Sequence, residues 1–321
     1  MEIFNPNSNI NFLGMRRISL AISALLVVLS IAAVLVRGLN YGLDFTGGVL
    51  VEVQYKDPVA VGDVRAALNE VGLDRAVVQS IGGERAVSIR LQATEDKNVT
   101  ANTPSKDISD IVSSDVMKAL TAKRADATKS RTDVVGPQVG AELKNDGVVA
   151  VIFVIIGIMV YIGIRFEWRF AVAAIASEIH DTLLTIGFYA ITQHEFDITV
   201  LASVLAVVGY SINDKVVVFD RVRELFRSAR RAEPAEILNK AINTTLSRTI
   251  ITALFTALTM FALYFFGGPV VHGFALTMLI GILVGTLSSI LFASPILLWL
   301  GVSKKDLMPV TRDNPELARR P

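Results

Sequence analysis

The sequence predicts an α-helical polytopic membrane protein of six transmembrane helices in a 1+5 plan, with an external α+β, ferredoxin-like domain between helices 1 and 2. Three observations carry that reading. Of 321 residues, 52% are hydrophobic and 19% charged, a balance foreign to a water-soluble chain of this length. Six apolar runs reach the roughly 17–25 residues that a helix needs to cross the hydrocarbon core of a bilayer. Ordinary polar sequence separates the first run from the second, whereas the last five follow one another closely.

The runs are 18–36, 148–164, 170–191, 198–219, 249–266 and 270–300. They divide the chain into an N-terminal segment (1–17), helix 1 (18–36), the external domain (37–147), helices 2–6 (148–300) and a C-terminal tail (301–321). Arg16 and Arg17 precede the first run, as in a signal peptide. Its apolar core is longer than the roughly 7–15 residues of a signal's hydrophobic region, so it reads as a retained helix. Lys and Arg set the orientation. Arg165 and Arg169, then Arg221, Arg223, Arg227, Arg230, Arg231, Lys240 and Arg248, then Lys304, Lys305 and Arg312 fall on the same side as Arg16 and Arg17. The loops at 193–197 and 267–273 contain neither residue type. Both termini are therefore expected in the cytoplasm, and Trp168 and Trp299 near the membrane interface.

A formal net charge of +1 offers no global field for nucleic acid. With no cysteine, disulfides, thiolate metal sites and cysteine nucleophiles are excluded, and three histidines make a zinc site improbable.

Within the insert, an alternating run at 49–55 is followed by helical spacing through Val61, Val64, Ala67, Leu68 and Val71, stopped by Gly72. Runs at 77–81 and 86–91 flank Gly82-Gly83 as a hairpin. A polar stretch at 93–106 leads to a second helix over 108–123 and a last strand over 129–135. The order β-α-β-β-α-β is that of a ferredoxin-like sandwich. Its charges are interspersed as on a solvated surface, which suits binding or scaffolding better than catalysis.

The chemistry-bearing residues lie inside the apolar runs, where an ion costs a few kcal/mol and marks a functional position by default. The third run carries Glu178-Ile179-His180-Asp181; Glu178 and Asp181 share a helical face and His180 points elsewhere. In the fourth, Asn213-Asp214-Lys215 interrupts an apolar helix, and Arg248 heads the fifth. Asp214 can gain and lose a proton, whereas Arg248 keeps its charge, so the pair is expected to form a proton relay. A permanent Asp214–Arg248 or Asp214–Lys215 lock between helices is the competing reading. Asn213, Lys215, Asp181 and Glu178 are further contributors. Thr252, Thr256 and Thr259 draw one stripe down the fifth helix, and Thr277, Gly281, Gly285 and Ser288 a stripe of small residues down the sixth, suited to close helix packing. Asp220 is expected in a solvated network with Arg221, Arg223 and Glu224, while Arg165, Glu167 and Arg169 read as interface anchors.

Gly42-Leu43-Asp44-Phe45-Thr46-Gly47-Gly48 after the first run, Val135-Gly136-Pro137, Arg165-Phe166-Glu167-Trp168-Arg169, His180-Asp181, the block from Gly209 to Phe219-Asp220-Arg221-Val222-Arg223-Glu224, and Gly267-Gly268-Pro269 follow one another along the chain. Together they resemble the SecD/SecF family of bacterial protein-export membrane proteins, itself similar to transporters of the resistance–nodulation–division type. The resemblance implies a non-enzymatic subunit of the inner membrane that pairs with SecD, beside the SecYEG channel and often with YajC. It implies use of the proton-motive force, with protons and no other cofactor, to complete release of an unfolded polypeptide on the outer face. It maps the family's coupling aspartate onto Asp214 and its arginine onto Arg248. Two residues depart from the pattern: Glu178 stands where a small or apolar residue is usual, and Lys215 where Ser or Thr is common. A drug-efflux transporter of the same superfamily is the alternative, although such pumps carry twice the spans and inserts in one chain. An intramembrane protease lacks its signatures here. A passive scaffold, finally, would use the buried ions only to specify helix pairing.

Overall fold

The computed structural model describes residues 9–81, 83–91, 105–228 and 233–303. Gly82, residues 93–104 of the polar stretch, and Arg230, Arg231, Lys304, Lys305 and Arg312 lie outside them. After a short 3-10 turn at Leu13–Met15, helix α1 (Arg16–Arg37) runs until Gly38, whose positive φ of 70° turns the chain. A four-residue helix, α2 (Leu43–Thr46), then leads into the α+β domain.

That domain runs β1 (Gly48–Gln54), α3 (Val61–Glu70), β2 (Val77–Ser80), β3 (Ala86–Leu91), α4 (Ser105–Lys123) and β4 (Thr128–Val135). The sheet order β2-β3-β1-β4, antiparallel throughout, is the ferredoxin-like arrangement that the sequence order predicts. Alternation explains the core: Val49, Val51 and Val53 point inward from β1 and meet Val87, Ile89 and Leu91 from β3. The apolar stripes of α3 (Val64, Ala67, Leu68) and α4 (Val112, Val116, Ala119, Leu120) cover that face. Val71, predicted on the stripe, is exposed, because α3 ends at Glu70 and the chain turns at Gly72 with a φ of 84°.

The remaining spans are α5 (Pro137–Arg165), α6 (Trp168–Thr192), α7 (Ile198–Ser228), α8 (Pro234–Phe266) and α9 (Pro269–Ser288). The sixth span continues from α9 through a π-helical segment, Ser289–Ala293, into α10 (Ser294–Trp299). Among the described residues, six helices are thus long and apolar enough to cross a membrane. Two begin well before their apolar runs. Proline starts both α5 and α8, its fixed φ suiting a first helical turn. The polar turns that follow extend each helix beyond the apolar segment that hydropathy detects.

α6, α7 and the α9–α10 span form the centre of the bundle, and α1, α5 and α8 surround it with largely exposed apolar faces. Small residues allow that centre to close. A side chain at Gly281 would overlap Val207 of α7, and one at Gly285 would begin 2.6 Å from Ser211 Oγ. Ser288 meets Ser177 of α6 at 2.6 Å, and Thr277 meets the Tyr189 hydroxyl at 2.5 Å. The predicted small stripe therefore packs on two helices at once. Thr252, Thr256 and Thr259 instead donate to their own helix's carbonyls at 2.9–3.0 Å.

Gly281→Leu is expected to force α9 away from α7, at a cost of about 1–3 kcal/mol typical of overpacking. Thermal unfolding of the detergent-solubilised chain measures it, and an unchanged midpoint would contradict the packing described.

Candidate functional site

One turn of α6 and one of α7 bring four ionisable side chains to the middle of the bundle. Glu178 and Asp181, three residues apart on α6, point at α7, where Ser211 and Lys215, four apart, share a face. Lys215 has no exposed surface. Its Nζ donates to Glu178 Oε1 at 2.5 Å, to Asp181 Oδ2 at 2.7 Å and to Ser211 Oγ at 2.7 Å, using all three of its protons. Ser211 Oγ donates in turn to Asp181 Oδ2 at 2.7 Å. His180 Nδ1 lies 2.8 Å from Asp181 Oδ1. His180 was expected to point away from the carboxylates; instead its ring turns back onto Asp181 and stacks on Phe292 of the π-helical segment, with centroids 4.1 Å apart. The wider turn of that segment presents Phe292 to the ring while Ser288, one turn earlier, still reaches Ser177.

Asp214 lies on a different face of α7. It is 3% exposed, and its Oδ2 is buried without a hydrogen-bond partner. Neither predicted lock forms. Among the described residues no ion pair joins Asp214 to Lys215 or to Arg248, although the fields of both cations reach it. Lys215 turns instead to α6, because neighbours on a helix point about 100° apart. Arg248 is exposed rather than buried at a helix head: α8 starts at Pro234, which places Arg248 in its interior and on an outer face. Asn213 is exposed as well. Of the residues singled out from sequence, then, Glu178, Asp181 and Lys215 meet in one cluster, Asp214 lies beside it, and Asn213 and Arg248 face outward. Ser211, Ser177, Ser288 and the stacked His180 were not foreseen as members, although the i, i+4 spacing of Ser211 and Lys215 was there to be read.

At the end of the bundle nearest the α+β domain, the glycine-rich segment after α1 locks onto the α6–α7 loop. Gly42 N donates to Phe196 O and Phe196 N to Asn40 O, each at 2.8 Å. Gly42 suits this close approach, since a Cβ there would lie 3.0 Å from Glu195 Oε1 and Asp197 Cβ. Tyr41, Phe45, Tyr189 and Phe196 close an aromatic cluster beneath. Asp44 Oδ2 accepts from Ile198 N at 3.0 Å and so caps the first turn of α7 from outside the helix. Arg90 of β3 donates to Tyr41 O at 2.7 Å, to Glu195 Oε1 at 3.0 Å and to Asn40 Oδ1 at 3.1 Å. Burial pushes the Glu195 carboxyl above the usual carboxylate range, against the pull of Arg90. At the opposite end Asp220 pairs with Arg165 at 2.7 Å and with Arg223 at 3.6 Å, while Arg223 reaches Glu167 at 3.0 Å.

The sequence matches the family model described as protein export membrane protein SecD/SecF, C-terminal, over residues 115–303, and the SecD/SecF GG motif over residues 32–59. It is 42% identical over 304 residues to the protein translocase subunit SecF of Pseudomonas aeruginosa, covering 94% of each chain. To that of Escherichia coli O157:H7 it is 38% identical, covering 89% of this chain and 86% of the relative. Its structure is similar to that of SecDF, a translocon-associated membrane protein from Thermus thermophilus, with a TM-score of 0.81 and 35% sequence identity over 93% of this chain. This chain spans 39% of that SecDF chain. Against SecDF in a super-membrane-facing form the TM-score is 0.67.

Removing one partner of a buried ion pair leaves the other charge uncompensated, at about 3–5 kcal/mol. Lys215→Met is accordingly expected to lower stability by that order. The double change Lys215→Met with Glu178→Met, which removes one charge of each sign, should recover part of it, while Asp181 stays without its ammonium. Thermal melts of the three chains decide; a double variant no more stable than the single one would mean that Glu178 and Lys215 do not depend on each other.

Proposed function

This chain belongs to the SecD/SecF protein-export family, and we propose that it is the subunit that, together with SecD, uses the proton-motive force to drive late steps of polypeptide translocation and release. In this reading it sits in the bacterial inner membrane beside the SecYEG channel, with YajC as a further partner. Both termini are cytoplasmic and the α+β domain faces outward, as the Lys and Arg distribution favours. The observation that carries the proposal is Asp214: a carboxyl group in the middle of an apolar helix, with one oxygen buried and unpartnered. An ionised carboxylate left in that state is costly, and a proton relieves it. A side chain that serves only as a lock would be fully paired; this one is free to exchange its proton with a partner helix or a water path.

The arrangement also supplies a way for that proton to be felt outside the membrane. Asp214 lies on α7, and the first turn of α7 is capped by Asp44 of the segment that enters β1. Arg90 ties the next strand of the same sheet to the α6–α7 loop. A shift of α7 relative to α6 therefore moves the footing of the α+β domain, which would be the part that acts on the emerging polypeptide. Arg248 is exposed on α8; in this reading it would meet a neighbouring subunit rather than pair within this chain.

Asp214→Asn keeps the shape and removes the exchangeable proton. In cells depleted of their own subunit and complemented with this chain, the variant is expected to accumulate and to bind SecD. Release of a pulse-labelled secretory precursor should nevertheless fall to the level of uncomplemented cells. If Asp214→Asn supports release as well as the parent chain does, proton coupling through this residue is wrong.

A further inference from the structure

Between α5, α6 and α7 lies a cavity of about 170 Å3, walled by Ile155, Ile158, Ile175, Ile179 and Val208 and lined also by Glu178. Glu178 is 6% exposed. One of its oxygens, Oε1, accepts from Lys215; the other, Oε2, is buried with no partner. The charges facing this group are Asp181 from its own helix, which pairs with His180, and Lys215 from α7; Asp214 lies on another face of α7, and Arg248 is exposed on α8. Among the described residues α5 brings only apolar groups to the cavity, and the π-helical segment brings Phe292 to the far side of the cluster.

Two carboxylates therefore share one buried ammonium. Asp181 is satisfied at both oxygens, by His180 at Oδ1 and by Ser211 and Lys215 at Oδ2. Glu178 has a single bond, and its second oxygen is buried without a partner. Of the two carboxylates that Lys215 holds, Glu178 is the one that a proton relieves more. Protonation at Oε2 leaves Oε1 on the ammonium and leaves Lys215 to compensate Asp181 alone.

We propose that Glu178 is a second proton-binding carboxyl of this protein, with Lys215 as its tethered counter-ion. The proposal rests on the proton-coupled reading above and adds a carrier on α6 to the one on α7. No bond other than O–H is made or broken. Ionised Glu178 would bind α6 tightly to α7 through Lys215, and neutral Glu178 would loosen that contact, so proton occupancy and helix spacing are linked at this point.

A carbodiimide reacts with a carboxylic acid and not with a carboxylate, and a small apolar one enters hydrocarbon-lined cavities. Membrane vesicles containing the full chain are treated with diisopropylcarbodiimide over a range of pH, and peptides are mapped by mass spectrometry. The expected result is an adduct retaining the whole reagent on Glu178, several-fold more abundant in mild acid than in mild alkali. The same peptide should be unlabelled in Glu178→Gln, and Asp181 unlabelled throughout. Absence of a Glu178 adduct at every pH would overturn the proposal, because the group would then be a permanent carboxylate locked on Lys215. A yield independent of pH would overturn it too, since a carboxyl that never ionises carries no proton. The labelling is read on the resting protein and the Asp214→Asn experiment on export, so each can fail without the other.

Discussion

A single ammonium, Lys215 Nζ, sits in the middle of the bundle with no exposed surface, and the packing around it follows from the need to compensate it. Three protons must find three acceptors. Glu178, Asp181 and Ser211 supply them, which fixes the rotation of α6 and α7 about their own axes and the register between them. Close approach follows in turn. α9 seals the cluster from the other side only because Gly281 and Gly285 present no side chain to Val207 and Ser211. The π-helical segment then supplies the stacking surface for His180. In lipid, where apolar contact alone gives helices little reason to choose one another, such polar pairing specifies which faces meet.

The same constraint creates an imbalance. One ammonium cannot neutralise Glu178, Asp181 and Asp214 together, and two of the three retain a buried oxygen without a partner. A structure built only for stability would not keep such groups, because each costs free energy while ionised. In the proposed reading these are the positions where protons bind. They sit on α6 and α7, the two helices whose connecting loop is gripped by the glycine-rich segment, Asp44 and Arg90. Chemistry at mid-membrane and the footing of the α+β domain are thus joined by two rigid helices and one short loop.

Much of this was legible in the sequence. Apolar run length gave the six spans, and period-two alternation with turn residues gave the ferredoxin-like order, because both rest on local burial patterns. The intramembrane carboxylates were legible as well, since any ion in an apolar run stands out. Their pairing was not. Sequence placed Arg248 at a helix head next to Asp214; the polar turns from Pro234 onward lengthen α8 and carry Arg248 to an outer face, which hydropathy cannot register. Glu178 and Lys215, the two departures from the family pattern, lie 37 positions apart, and nothing local says that they touch. In space each accounts for the other: a lysine is tolerable at 215 because a glutamate faces it from 178.

The central claim is that the excess buried carboxylates of α6 and α7 hold protons that exchange. Infrared difference spectroscopy on the chain in lipid nanodiscs, with a shift from acid to alkaline buffer, measures that directly through the carbonyl stretch of protonated carboxylic acids. The account predicts loss of such bands on alkalinisation, one component missing in Asp214→Asn and a separate one missing in Glu178→Gln. A spectrum with no band from a protonated carboxyl group assignable to either residue at any pH would contradict it, and would leave the cluster a fixed set of charges that only holds helices together.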